Sequence, residues 1–264
     1  MHYWHWFDIA FPWIGGVGAI VLLVLLFATD RLRSDPSRSR WHDWVWLSWL
    51  GMAAYLLHNF EEYGIDLFGT FHAFPGMICT QLGLPPYPIC PIPPVFFLAV
   101  NVTAFWVAAP IAALLSRRHP LVGLSIYSII IINALVHMAA ALGGNFGGGF
   151  FTSLLFVALA VWIIRACFGP GRMSYGALAL LVAGGIIVHV VLAAPLLLFL
   201  YFGLSTTMVV LLQLVNPFLL MLILWLGERW RDGALISNPR NASNLVPPGD
   251  APAIADISRN PKSP

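Results

Sequence analysis

The sequence predicts an all-α protein: a polytopic membrane helical bundle of seven transmembrane helices, with its N-terminus outside and its C-terminus inside. Three observations carry that prediction. Of 264 residues, 59% are hydrophobic and only 9% are charged, whereas soluble domains run near a quarter charged. Apolar blocks of about 20 residues recur along the chain, each long enough to cross a hydrocarbon core of roughly 30 Å. The cationic residues, finally, fall on alternate connections only.

In chain order the blocks are 11–28, 44–63, 94–115, 121–142, 150–166, 175–200 and 207–227. The first follows "MHYWHWFDIA", which carries Asp8 and no Lys or Arg. A signal peptide has a positive leader and a small-residue cleavage site, so this block reads as a retained span. Trp4, Trp6 and Trp13 flank it, and Trp41, Trp44, Trp46 and Trp49 open the second block. Amphipathic rings prefer the membrane–water interface, so these tryptophans read as an interfacial belt. The sixth block is long and contains Pro195, which predicts a kink, a tilt or an early end.

All thirteen Lys and Arg residues fall on one side of this arrangement. Arg31, Arg33, Arg38 and Arg40 follow the first block, and Arg117 and Arg118 follow the third. Arg165 and Arg172 bracket the turn after the fifth, and the remainder follow the seventh. The positive-inside rule assigns that side to the cytoplasm. The basic residues thus mark topology, and no nucleic-acid partner is implied. The expected location is a bacterial inner membrane, crossed several times, with the lipid bilayer as partner. Residues 1–232 form the membrane domain. Residues 233–264, rich in Pro, Asn and Ser, are expected to be a disordered cytoplasmic tail.

The outer connection, 64–93, is the longest, and its prolines deny it a long helix. Its apolar content predicts that it folds back over the outer mouth as a lid or re-entrant segment. Cys79 and Cys90 both lie there, on the side that is oxidising in a bacterium. A disulfide between them is one outcome and two free thiols the other. Two cysteines alone make a poor zinc site.

Ionisable groups inside spans are costly and should face the bundle interior. The stretch "LLHNFEEYG" places His58, Glu61 and Glu62 at i, i+3 and i+4, on one helical face. His58 lies about five residues, roughly 7 Å, inside the outer end of its block. Asn133 and His137 share a face of the fourth block, and His189 sits near the middle of the sixth. Asn101 lies on the third block, and Gln213 and Asn216 on the seventh. Five blocks therefore direct polar groups to one layer. Each group has a blander role: amides knit helices together, a lone histidine packs, and Glu61 and Glu62 are solvated if the second block stops early. Asp66 and His72, in the outer connection, rank second.

The motif "HNFEE" and the later "NALVHMAAALGGNFGGGFFTS" together resemble the HXXEE family of small multi-span, mostly bacterial membrane proteins of unestablished function. The likeness covers roughly residues 44–166 and carries over His58, Glu61, Glu62, Asn133 and His137. It implies a metal-dependent membrane activity. Many members have Pro-Gly after an aromatic residue where this chain reads "FGGGFF".

Two carboxylates with two or three imidazoles form a mixed ligand set suited to zinc, manganese or non-haem iron. A divalent metal is therefore the expected cofactor, with His58, Glu62, His137 and His189 as ligands. Asn101, Asn133, Gln213 and Asn216 form a supporting polar layer. Glu61 and Glu62 are the expected catalytic carboxylates, the one not spent on metal acting as general base. No His-Glu-x-x-His and no nucleophile elbow occurs. The single lysine, Lys262, lies in the tail, which excludes a retinal Schiff base inside the bundle. The expected function is a membrane metalloenzyme, hydrolytic before oxidative, acting on a lipid-soluble or periplasmic small molecule. Two other classes stand beside it: a proton-coupled transporter or ligand-binding protein, and a structural or assembly protein.

Overall fold

The computed structural model describes residues 4–37 and 39–236, the last six as backbone only. Of the expected tail at 233–264, residues 233–236 are helical, and 237–264 lie outside the described residues, as do 1–3 and 38. The chain divides after Glu228 into two units; the first holds the packing and the site described below, and the described part of the second is the end of the last helix.

Regular structure among the described residues is helical. The α-helices are α1 (Trp6–Ala28), α2 (Trp44–Asn59), α3 (Ala73–Gln81), α4 (Pro94–Asn101), α5 (Ala109–Leu115), α6 (Pro120–Gly123), α7 (Ser125–Leu142), α8 (Phe150–Cys167), α9 (Tyr175–Phe202) and α10 (Thr206–Ile236). Two π-helical segments interrupt them. Phe60–Gly64 continues α2, and Val102–Ala108 joins α4 to α5.

Six helical segments are long and apolar enough to cross a membrane: Trp6–Ala28, Pro94–Leu115, Ser125–Leu142, Phe150–Cys167, Tyr175–Phe202 and Thr206–Trp230. That is six, not the seven expected. The block at 44–63 drops out because its α-helix ends at Asn59 and widens into the π-turn. It is also the enclosed helix of the bundle. Twelve of the 16 residues of α2 are buried, against seven of 28 in α9. The outward faces carry apolar residues instead, such as Val17, Val21 and Val24 on α1 and Ile186 and Val190 on α9. Such surfaces are unfavourable in water, and with the helix lengths they are those of a multi-pass membrane protein.

Small residues set the helix spacing. A Cβ on Gly51 would lie 2.7 Å from Ile126 Cγ2, and one on Gly185 would meet the Ser128 carbonyl. Hence α2 packs tightly on α7, and α7 on α9. The Tyr127 hydroxyl donates to the Leu47 carbonyl at 2.8 Å and pins α7 to α2 in a fully buried place. Tyr127→Phe leaves that packing but removes the bond, so stability should fall by about 1 kcal/mol. Reversible denaturation in detergent checks this.

Asp43 starts α2 by accepting from the Val45 and Trp46 amides, as a helix cap does. Trp46 sends its indole N–H to the Leu26 carbonyl, and Trp41 and Trp162 pack nearby at ring separations of 4.9 and 5.5 Å. Pro195 neither ends nor interrupts α9, which runs on to Phe202. A proline leaves the carbonyl four residues back without its helical donor, and here the Gln213 side chain donates to that carbonyl, Val191, at 3.1 Å.

The connection at 64–93 contains the short helix α3. Cys79 and Cys90 are joined by a disulfide and are fully buried.

Candidate metal centre

Three elements meet at one end of the bundle: the last turn of α2 with its π-helical continuation, the C-terminal part of α7, and the start of α8. α2 delivers His58, the π-turn Glu62, and α7 His137, all three buried to 2% exposure or less. His58 Nε2 and His137 Nε2 each lie 3.2 Å from the same oxygen, Glu62 Oε1. One ligand atom from each residue falls within 4.8 Å of the others. The wider π-turn carries Glu62, and such turns are frequent at functional sites.

The second carboxylate of the motif faces elsewhere. Glu61 accepts from the Phe151 amide at 3.1 Å, from the Thr152 amide at 2.8 Å and from the Thr152 hydroxyl at 2.5 Å. It thus caps the beginning of α8, where unpaired amides and the helix dipole favour an anion. With its proton committed to Glu61, the Thr152 oxygen is left to accept from His58 Nδ1, 2.7 Å away. That chain of bonds assigns the His58 proton to Nδ1 and leaves Nε2 bare. Indeed His58 Nε2 is buried without a hydrogen-bond partner. A buried imidazole nitrogen with a free lone pair, oriented by a hydrogen bond on its other nitrogen, is the arrangement of a histidine ligand to a metal. The residues present therefore fit a cation.

Gly149 closes over this group. Its φ is 101°, and a Cβ there would lie 2.6 Å from His58 Cε1, 2.9 Å from Glu62 Cγ and 3.1 Å from His137 Cε1. Neighbouring Gly148, also at positive φ, brings the turn against the backbone of Phe74 at the start of α3. The glycine run thus lets one turn touch both the cluster and the connection at 64–93. Sequence reading passed over Gly149 and Thr152; the signal was the three-glycine run leading into "FFTS".

The remaining predicted residues are placed differently. His189 is not in the cluster: it lies on α9, and its Nδ1 donates to the Gly185 carbonyl one turn back at 2.8 Å. Asn133 donates to the Tyr55 hydroxyl, and Tyr55 stacks on Phe105 at 3.6 Å. Asn101 bonds the Phe97 carbonyl of its own helix, and Asn216 bonds the Val188 carbonyl. With Gln213 on Val191, these amides serve backbone and ring rather than the centre. Asp66 accepts from the Phe68 and Thr70 amides and so holds a turn. His72 stacks on Trp4 at 4.1 Å, and burial holds its pKa below the ordinary histidine value.

A cavity of about 410 Å³ adjoins the centre, with Glu62 and His137 in its wall. That is the size of a small-molecule site. Phe74, Phe96, Phe97, Phe105, Leu192 and Leu196 supply much of the rest of its lining.

Residues 49–163 match the profile of a family described as a protein of unknown function with HXXEE motif. The match spans all three elements of the centre, and His58, Glu61 and Glu62 are the motif itself. No curated protein and no solved structure matches the chain.

Proposed function

We propose that this chain is an HXXEE-family membrane metalloenzyme that holds one divalent ion between His58, Glu62 and His137. The observation that carries this reading is the convergence of those three ligand atoms around a bare, buried His58 Nε2. Two imidazoles and a carboxylate suit zinc, manganese or iron and leave a coordination position for water or substrate. A buried carboxylate also demands a compensating positive charge, which a cation supplies.

When bound there, the ion contributes Lewis acidity. The chain's own residues do the rest. Thr152 and Glu61 hold the His58 ring in its ligating tautomer, Gly149 closes the centre against the α8 side, and the carbon-lined cavity admits an apolar body beside Glu62. Glu61, with both oxygens engaged, is a positioning residue and not the general base. Hydrolysis is preferred to oxidation because it needs only water beside the metal and no redox co-reactant. The substrate is a lipid-soluble or periplasmic small molecule.

The finer topology belongs to the same proposal. Counting the enclosed helix at 44–64 as a further crossing, every connection bearing Lys or Arg lies on one side. The N-terminus is then outside, the metal centre lies in the outer half of a bacterial inner membrane, and the connection at 64–93 is its lid.

The hydrogen bond from His137 Nε2 to Glu62 Oε1 favours a second reading, proton-coupled transport, in which a shared proton supplies the positive charge. Metal analysis of detergent-purified protein decides between the two. The expected result is about one equivalent of zinc, manganese or iron in the wild type, lost in both His58→Ala and His137→Ala. Metal-free wild type that moves protons in liposomes overturns the first reading in favour of the second.

A further inference from the structure

The cavity beside the centre has a second polar point that the cluster does not use. His189 lies in its wall, half-buried, and its Nδ1 is tied to the Gly185 carbonyl. A carbonyl only accepts, so Nδ1 carries the proton and the neutral ring offers Nε2 as a bare acceptor. No hydrogen bond to Nε2 is made among the described residues. Among the wall's other amides, the donor groups of Asn101, Gln213 and Asn216 are tied to the Phe97, Val191 and Val188 carbonyls and that of Asn133 to the Tyr55 hydroxyl, while the amide oxygens of Asn133 and Asn216 are buried without a partner. What the cavity offers a guest is therefore carbon surface, the Glu62–His137 edge, the Asn133 and Asn216 amide oxygens, and an imidazole acceptor at His189.

The height of that acceptor follows from packing. Gly185 meets Ser128 and Ile132, and α7 and α9, separated by the single reversing helix α8, run parallel. His189 is then level with about residue 134, roughly 4.5 Å along the axis from His137 at about 1.5 Å per residue. One turn separates the recognising acceptor from the metal edge.

We infer that His189 selects the ligand of this cavity: an otherwise apolar molecule bearing a hydroxyl or amide N–H, which donates to His189 Nε2. The inference rests on the reading above for what the ligand's other polar group meets. Its binding step is independent of the metal, and that separates the two in experiment.

The probe is a photoreactive 16-carbon primary alcohol added to protein in nanodiscs, with crosslinking read by mass spectrometry. Hexadecanol and its methyl ether, which lacks the O–H donor, serve as competitors. Wild type should prefer the alcohol by about fivefold to tenfold, the worth of one buried hydrogen bond. His189→Phe should still crosslink but lose the preference, and His189→Gln, which retains an acceptor oxygen, should keep part of it. Ala193→Trp, which fills the cavity from α9, should abolish crosslinking with its melting temperature kept. The preference and the crosslinking should both persist in His58→Ala, which lacks a ligand. No preference in the wild type, a preference surviving in His189→Phe, or crosslinking undiminished in folded Ala193→Trp overturns the inference. Selective binding by metal-free protein would leave the inference standing and remove the metalloenzyme reading; stoichiometric metal without selectivity does the reverse.

Discussion

Gly149→Ala is expected to destabilise the protein by about 2–5 kcal/mol and to abolish metal retention. Two costs add. Forcing a side chain into a filled core costs about 1–3 kcal/mol, and here the new methyl would lie 2.6 Å from one imidazole and 3.1 Å from another. A non-glycine residue at positive φ costs a further 1–2 kcal/mol or so. None of the three neighbours is a free chain end: His58 is held by Thr152, and Glu62 by His137. Relief therefore has to come from the ligand geometry itself. Gly144→Ala separates the two costs, because Gly144 also has positive φ, at 85°, but nothing lies within 4 Å of its would-be Cβ. It should lose only the backbone portion and keep its metal. Thermal unfolding in detergent and metal content on the same samples give the comparison. Equal behaviour of the two variants would remove Gly149 from the centre.

The residues that the sequence brought into view were those whose cost is visible in one dimension. His58, Glu62 and His137 stand out because ionisable groups in apolar helices need partners, and the i, i+4 spacing gives their face. His189 satisfied the same test yet lies outside the cluster, since periodicity supplies depth and face but not which neighbouring helix that face meets. Spacing also led to the pairing of Glu61 with Glu62 as equals. The π-turn breaks that equivalence, and nothing in the apolar pattern marks a π-turn. The loss of the block at 44–63 from the membrane-length helices has the same origin, for hydropathy counts residues and does not see where the α-hydrogen bonding stops. Gln213 looked like a member of a polar layer, whereas it answers Pro195 on the adjacent helix. That relation spans 18 residues and is set by packing alone.

The adjacent carboxylates of the motif should give separable defects. In Glu61→Gln one oxygen is replaced by an NH₂ group that faces the donors of Phe151 and Thr152. At least one charge-assisted bond is lost and a donor is set against a donor, for a cost of about 2–4 kcal/mol. Without its acceptor the Thr152 hydroxyl no longer holds the His58 proton on Nδ1, and metal affinity should fall by about 10- to 100-fold, as for other residues that orient a ligand. Glu62→Gln removes a buried charge and leaves an amide between two imidazoles. A neutral amide of the same shape costs less to bury than an ionised carboxylate, so this variant should melt within a few degrees of the metal-free wild type while losing metal altogether. Denaturation midpoints and metal titration of the two proteins place them on opposite axes. If Glu62→Gln unfolded the protein and Glu61→Gln emptied it without loss of stability, the ligand and the helix cap would have exchanged places, and the tautomer argument for His58 would fail with them.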